Sequence, residues 1–213
     1  MRISFLHTAH VHVETFNQIF QELAPEIEIH HKVSPELLAR AQANGLDDVR
    51  SETTVALHDL SSFDAVVCSC TTLGPIADAI SIPHLLRIDR PVMEYACTQG
   101  PNILVAICLE ATRKSTTTLL MECAMQTDQT ISPEVILIDS TWPYFERGEI
   151  DTFANEIAAK VKSTVKERGN IDCVVLAQAS MHVAEGFLQD LGIPVVSSPV
   201  MAAKRAIEIA RQR

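Results

Sequence analysis

Cys70 stands at the end of the apolar run Asp64-Ala65-Val66-Val67-Cys68 and is followed by Thr71-Thr72-Leu73-Gly74-Pro75. A thiol there meets backbone N–H groups and the positive end of a short helix, which favour thiolate. Moving a thiol pKa from about 8.5 to about 7 takes roughly 2 kcal/mol. Such a group can take or give a proton at neutral pH. The competing reading is a buried, inert cysteine acting as a small hydrophobe, and Cys68, inside the run, reads as core.

Other side chains could hold an anion beside that thiol. Thr71, Thr72 and Ser180 offer hydroxyls next to turn amides, which suits a carboxylate; plain capping is the alternative. Arg87, in Arg87-Ile88-Asp89-Arg90-Pro91, can clamp a carboxylate bidentately or pair with Asp89. Thr112 lies in Ala111-Thr112-Arg113-Lys114-Ser115-Thr116, which opens a helix and is a second candidate anion site. The cluster His7-Thr8-Ala9-His10-Val11-His12 follows the first apolar run. His-x-His after a first strand also fits a metal-dependent hydrolase barrel, but 213 residues is short for eight βα units. His10 is the candidate acid/base of that cluster. His30, His31, His58, His84 and His182 show no ligand spacing, and no metal is expected. No GxGxxG, Walker loop or GxSxG occurs, so nucleotide binding and hydrolase elbows lack support.

The elements that position these residues come twice. Asp64 to Thr72 recurs as Asp172-Cys173-Val174-Val175-Leu176-Ala177-Gln178-Ala179-Ser180, and each copy precedes an Ile-Pro, at Ile82-Pro83 and Ile193-Pro194. Arg2 to Leu6 likewise matches Asn102 to Ala106. Where the first copy has Cys70 the second has Gln178. Strands are expected at 2–7, 26–33, 64–68, 84–88, 102–108, 134–139, 172–177 and 194–197. Helices are expected at 13–23, at 35–44 with Ser34 as N-cap and Gly45 as terminator, at 149–167 and at about 200–211. Continuously apolar strands suit parallel sheets covered on both faces. The expected fold is therefore α/β: two pseudo-symmetric, doubly wound half-domains, each with a mostly parallel four-stranded sheet. The first covers 1–94 plus 199–213 and the second 95–198, with one site between them at the carboxyl ends of the strands.

Net charge is −10, which argues against nucleic acid or an anionic membrane as partner. Met1 to Leu6 meets His7 too early for a signal-peptide core, and no apolar run approaches about 20 residues. The six cysteines include no CxxC pair, so structural zinc is not expected. A reducing, cytoplasmic setting fits.

Phe5-Leu6-His7-Thr8, Cys70-Thr71-Thr72-Leu73-Gly74-Pro75, Arg87-Ile88-Asp89-Arg90-Pro91 and Leu176-Ala177-Gln178-Ala179-Ser180-Met181 together resemble the aspartate/glutamate/hydantoin racemase superfamily. The likeness covers nearly the whole chain. In that family two cysteines flank the substrate α-carbon, one removing the proton and the other returning it, without cofactor. The resemblance implies a cofactor-independent racemase or isomerase acting on a small amino acid, hydantoin or dicarboxylate, and a homodimer. Cys70 matches the first cysteine. Gln178 replaces the second and cannot act as acid or base. Thr8, Thr71, Thr72, Thr112, Gln178, Ala179 and Ser180 would orient the carboxylate. Two further readings stay open: a single-cysteine decarboxylase or isomerase of the same superfamily, and a non-catalytic small-carboxylate binder on this fold.

Overall fold

Strands that are apolar on every residue cannot leave a face in water, so helices must cover both sides of the sheet. The computed structural model, which describes residues 1–213, has this layout twice. In chain order the first set is β1 (Arg2–His7), α1 (Val11–Leu23), β2 (Glu28–Val33), α2 (Pro35–Asn44), α3 (Leu46–Asp59), β3 (Ala65–Cys68), α4 (Gly74–Asp78) and β4 (Leu85–Arg87). The second is α5 (Arg90–Cys97), β5 (Asn102–Ile107), α6 (Arg113–Gln126), β6 (Ser132–Leu137), α7 (Trp142–Glu146), α8 (Ile150–Arg168), β7 (Cys173–Leu176) and β8 (Val195–Ser197), followed by α9 (Ser198–Arg211). Short 3-10 segments cover Glu110–Thr112, Asp139–Thr141 and Ala179–Leu191.

Each sheet has four strands, ordered β2-β1-β3-β4 and β6-β5-β7-β8, and every ladder is parallel. The chain divides into two compact units, Met1–Asp89 with Pro199–Arg213, and Arg90–Ser198. This boundary falls ahead of α5, where one at 94/95 would cut that helix. The aspartate that opens each sequence copy has the same task in both units. Asp64 Oδ2 accepts from the Arg2 N–H at 2.7 Å, and Asp172 Oδ2 from the Asn102 N–H at 2.9 Å. Each carboxylate thus satisfies the leading donor of the neighbouring strand.

In the first unit, Phe5 packs on Phe16 and Phe20 of α1, with ring centroids 4.4 and 5.8 Å apart. All three are buried, and each contributes about 1.5–3 kcal/mol by leaving water. A second cluster joins Leu6, Val66 and Cys68 to Leu57, Leu73 and Ile76 on the other side. In the second unit, Leu104, Val174 and Leu176 pack on Phe153, Ile157 and Val161 of α8. That helix ends at Gly169, whose φ of 71° suits a residue without Cβ. Gly45, φ 89°, separates α2 from α3.

The helices differ from expectation in several places, α5 and α7 among them. Ser34 occupies the cap position of α2, but its side chain makes no cap hydrogen bond. α3 buries only Val49, Thr53, Ala56 and Leu57 among many charges, so its stripe is faint. Residues 179–191, to which the sequence assigns no element, form consecutive 3-10 turns. No helix is long and apolar enough to cross a membrane.

Candidate functional site

In an open parallel sheet the ligand crevice opens where the chain leaves neighbouring strands in opposite directions. With orders β2-β1-β3-β4 and β6-β5-β7-β8, that point lies beyond β1 and β3 in one unit and beyond β5 and β7 in the other. The registers identify the residues there. Leu6 pairs with Cys68 and the Ser69 N–H donates to the Leu6 carbonyl at 3.0 Å. The next rungs outward are therefore His7 with Ser69, then Thr8 with Cys70. In the second unit Ala106 pairs with Leu176, and the Ala177 N–H donates to the Ala106 carbonyl at 3.0 Å. Its corresponding rungs are Ile107 with Ala177, then Cys108 with Gln178.

Cys70 is buried, with Thr8 on the facing turn and Thr72 and Leu73 just after it. Burial pushes the thiol pKa up, and the neighbouring Thr8, Leu73 and Thr72 only partly offset it. The expected low thiol pKa is thereby corrected, because removing water outweighs the turn amides and the five-residue α4. At neutral pH Cys70 rests as a thiol. Cys68 lies two rungs back, fully buried and pushed up to about 12 by burial.

Below the Thr8–Cys70 rung runs a chain of hydrogen bonds. His7 Nδ1 is 2.6 Å from Ser69 Oγ, His7 Nε2 is 2.8 Å from His31 Nδ1, and His31 Nε2 is 3.2 Å from Asn17 Oδ1. Phe5 stacks on His7 at 5.4 Å, with His12 and Phe16 beside it. Burial, then the neighbouring His12 and His31, hold His7 at a pKa of about 3. Both His7 nitrogens are occupied, and no group of three or more His, Cys, Asp or Glu has an arrangement that could hold a metal ion. His10 is exposed ahead of α1, away from the buried cluster. The residue of this motif that the fold recruits is instead His7. Its signal was its place as the last residue of an apolar strand.

Arg87 is not available as a carboxylate clamp. Its Nε and Nη2 donate to Asp89 Oδ1 and Oδ2 at 2.6 and 3.0 Å, and Nη1 donates to Asp78 Oδ2 at 2.8 Å. Asp89 is wholly buried and Arg87 nearly so. Burial alone would lower the arginine pKa, but the Asp89 and Asp78 carboxylates outweigh it and keep the guanidinium charged. Gly74 lies against this group: a Cβ there would sit 2.3 Å from Arg87 Nε. The ion pair expected as the alternative thus forms, but inside the protein. It braces the turn carrying Cys70 from the β4 side.

In the second unit Gln178 Oε1 accepts from the Cys108 N–H at 2.6 Å, and Nε2 lies 3.5 Å from Thr112 Oγ1. The Thr112 hydroxyl donates to the Leu109 carbonyl at 2.7 Å. The amide that replaces the repeat's cysteine is therefore tied to the end of β5. Ala179 and Ser180 are buried at the start of the 3-10 segment. Cys108 is fully buried against Thr141 Oγ1 at 3.3 Å, with its pKa pushed up to about 12 by burial.

No protein-family model and no curated protein matches the chain. Solved structures match it over its whole length. A Francisella tularensis glutamate racemase in complex with D-glutamate has a TM-score of 0.76 and 14% identity, over 99% of this chain and 81% of its own. Picrophilus torridus aspartate racemase gives 0.73 and 14%, over 99% and 94%. A sulfate-associated arylmalonate decarboxylase variant gives 0.60 and 14%, over 99% and 94%. The fold is that of these proteins: α/β, with two four-stranded all-parallel sheets and flanking helices.

Proposed function

We propose that the chain is a cofactor-independent enzyme of the aspartate/glutamate/hydantoin racemase superfamily, moving a proton between Cys70 and the carbon α to a carboxylate. The observation that supports this is Cys70, buried at the switch point of the first sheet with Thr8 on the facing turn. A thiol that gives its proton to a carbanion becomes a thiolate, and preorganised donors stabilise the charge where it develops. Thr71 and Thr72 are the proposed carboxylate-binding groups of the first unit. Thr112, Ala179 and Ser180 are proposed for that task on the second. The substrate class is a small amino acid, hydantoin or dicarboxylate whose α-carbanion is stabilised as an enediolate.

A second reading is one-sided protonation. Here a substituted malonate loses CO2, the remaining carbanion takes the Cys70 proton, and water reprotonates the thiolate. It is favoured by Gln178, which cannot transfer a proton and whose oxygen is held by the Cys108 N–H. NMR in D2O tests both, using amino acids, hydantoins, maleate and substituted malonates with wild type and Cys70→Ser. The expected result is solvent deuterium at an α-carbon with wild type and a loss of about 100-fold or more in the variant. An unchanged rate in Cys70→Ser removes the thiol from the mechanism. No exchange or CO2 release with any compound favours a non-catalytic carboxylate binder.

A further inference from the structure

We propose that His7 and Ser69 are positioning residues for Cys70, locking the rung beneath it so that the Thr8 and Cys70 turns keep their register. The inference rests on Cys70 being the reactive group. Backbone pairing between β1 and β3 ends at Leu6 and Cys68, with one further hydrogen bond from the Ser69 N–H. Beyond that point nothing in the ladder fixes the spacing of the two turns. The contact of Ser69 Oγ with His7 Nδ1 at 2.6 Å continues the ladder with side chains. The next rung outward is Thr8 and Cys70, both buried.

The second unit provides an internal comparison. Its equivalent rung is Ile107 with Ala177, two apolar residues that can form no such bond. There the outer rung holds itself, through Gln178 Oε1 and the Cys108 N–H. Only the unit carrying Cys70 has a polar lock one rung in. That is the arrangement required if the outer pair must stay free to handle a proton.

The lock is also braced from behind. Nε2 of His7 meets His31 of β2, and His31 meets Asn17 of α1. The Ser69 hydroxyl donates to the Leu6 carbonyl at 3.0 Å, so its oxygen accepts from His7 Nδ1–H and His7 Nε2 accepts from His31 Nδ1–H, with both imidazoles neutral. Neutral His7 is what burial enforces. The titratable groups facing it are His12 from α1 and His31 from β2.

Iodoacetamide labelling of Cys70 against pH, read by peptide mass spectrometry, tests the proposal in Ser69→Ala, His7→Phe and His7→Asn. Asparagine keeps a polar atom near the Nδ1 position, while phenylalanine keeps only the stack. Loosening the register of the Thr8 and Cys70 turns should move the Cys70 titration midpoint by about one pH unit in Ser69→Ala and His7→Phe. His7→Asn should restore most of the shift. Circular dichroism reports whether each variant is folded; if His7→Phe is not, Ser69→Ala carries the test. A folded Ser69→Ala with an unmoved midpoint overturns the proposal. The titration needs no substrate, so the two readings fail separately. A shifted midpoint without any turnover in wild type leaves the lock standing and sinks the enzyme. Turnover with an unmoved midpoint does the reverse.

Discussion

Buried neutral histidines make a protein acid-sensitive, and His7 gives this effect a size. Its pKa is about 3 in the folded chain, set by burial and then by His12 and His31, against about 6.5 unfolded. Between those values the unfolded chain binds a proton that the folded chain refuses. Stability is therefore intact above pH 6.5 and is lost as pH falls toward 3. From pH 7 to pH 5 the loss assigned to His7 is about 2 kcal/mol, the unfolded state gaining about 1.5 pH units of protonation at 1.36 kcal/mol each. With a urea slope of ~2 kcal/mol per molar, the midpoint should fall by about 1 M. His31 and His182, both lowered mainly by burial, push in the same direction. The carboxylates held low by surface ion pairs act at more acid pH and are common to wild type and variant. His7→Asn has no imidazole to protonate. It should be less stable at pH 7 through lost packing, yet lose about 2 kcal/mol less than wild type between pH 7 and 5. Urea unfolding followed by circular dichroism at both pH values measures this. Equal losses in the two proteins would refute a buried neutral His7.

Two further substitutions test the supports around the site. Asp89→Ala leaves the Arg87 guanidinium buried with Asp78 alone and should destabilise by about 3–5 kcal/mol. Asp78→Ala, at a side chain 30% exposed, should cost about 1 kcal/mol; urea midpoints in the reverse order would show that Arg87 is not held as described. Gln178→Leu removes the acceptor of the buried Cys108 N–H and should cost about 1–3 kcal/mol. A stability equal to wild type would mean that Gln178 is held for a ligand and not for the end of β5.

The sheets were legible because burial on both faces leaves an apolar run at the central strands β1, β3, β5 and β7, and all eight expected segments become strands. The repeated aspartates were legible only as a pattern; their task, feeding the first N–H of a neighbouring strand, needs the register. α3 was hidden because it buries one narrow stripe under a charged surface, and 179–191 because 3-10 turns have no strong period. The site divides along the same line. Cys70, Thr71 and Thr72 follow one another in sequence, so their turn could be read directly. His7, Ser69, His31 and Asn17 are joined only across β1, β2, β3 and α1, and no spacing in the chain announces such a set. Arg87 misled for the opposite reason: Asp89 two residues on was visible, but Asp78 and the burial of all three were not. The buried desolvation that raises Cys70 is likewise invisible in sequence. It leaves Cys70 a resting thiol. On the proposed reading, a protonated thiol can finish a one-sided reaction alone, whereas two-sided exchange needs a second group that can hold a proton, and Gln178, at the matching place in the repeat, cannot.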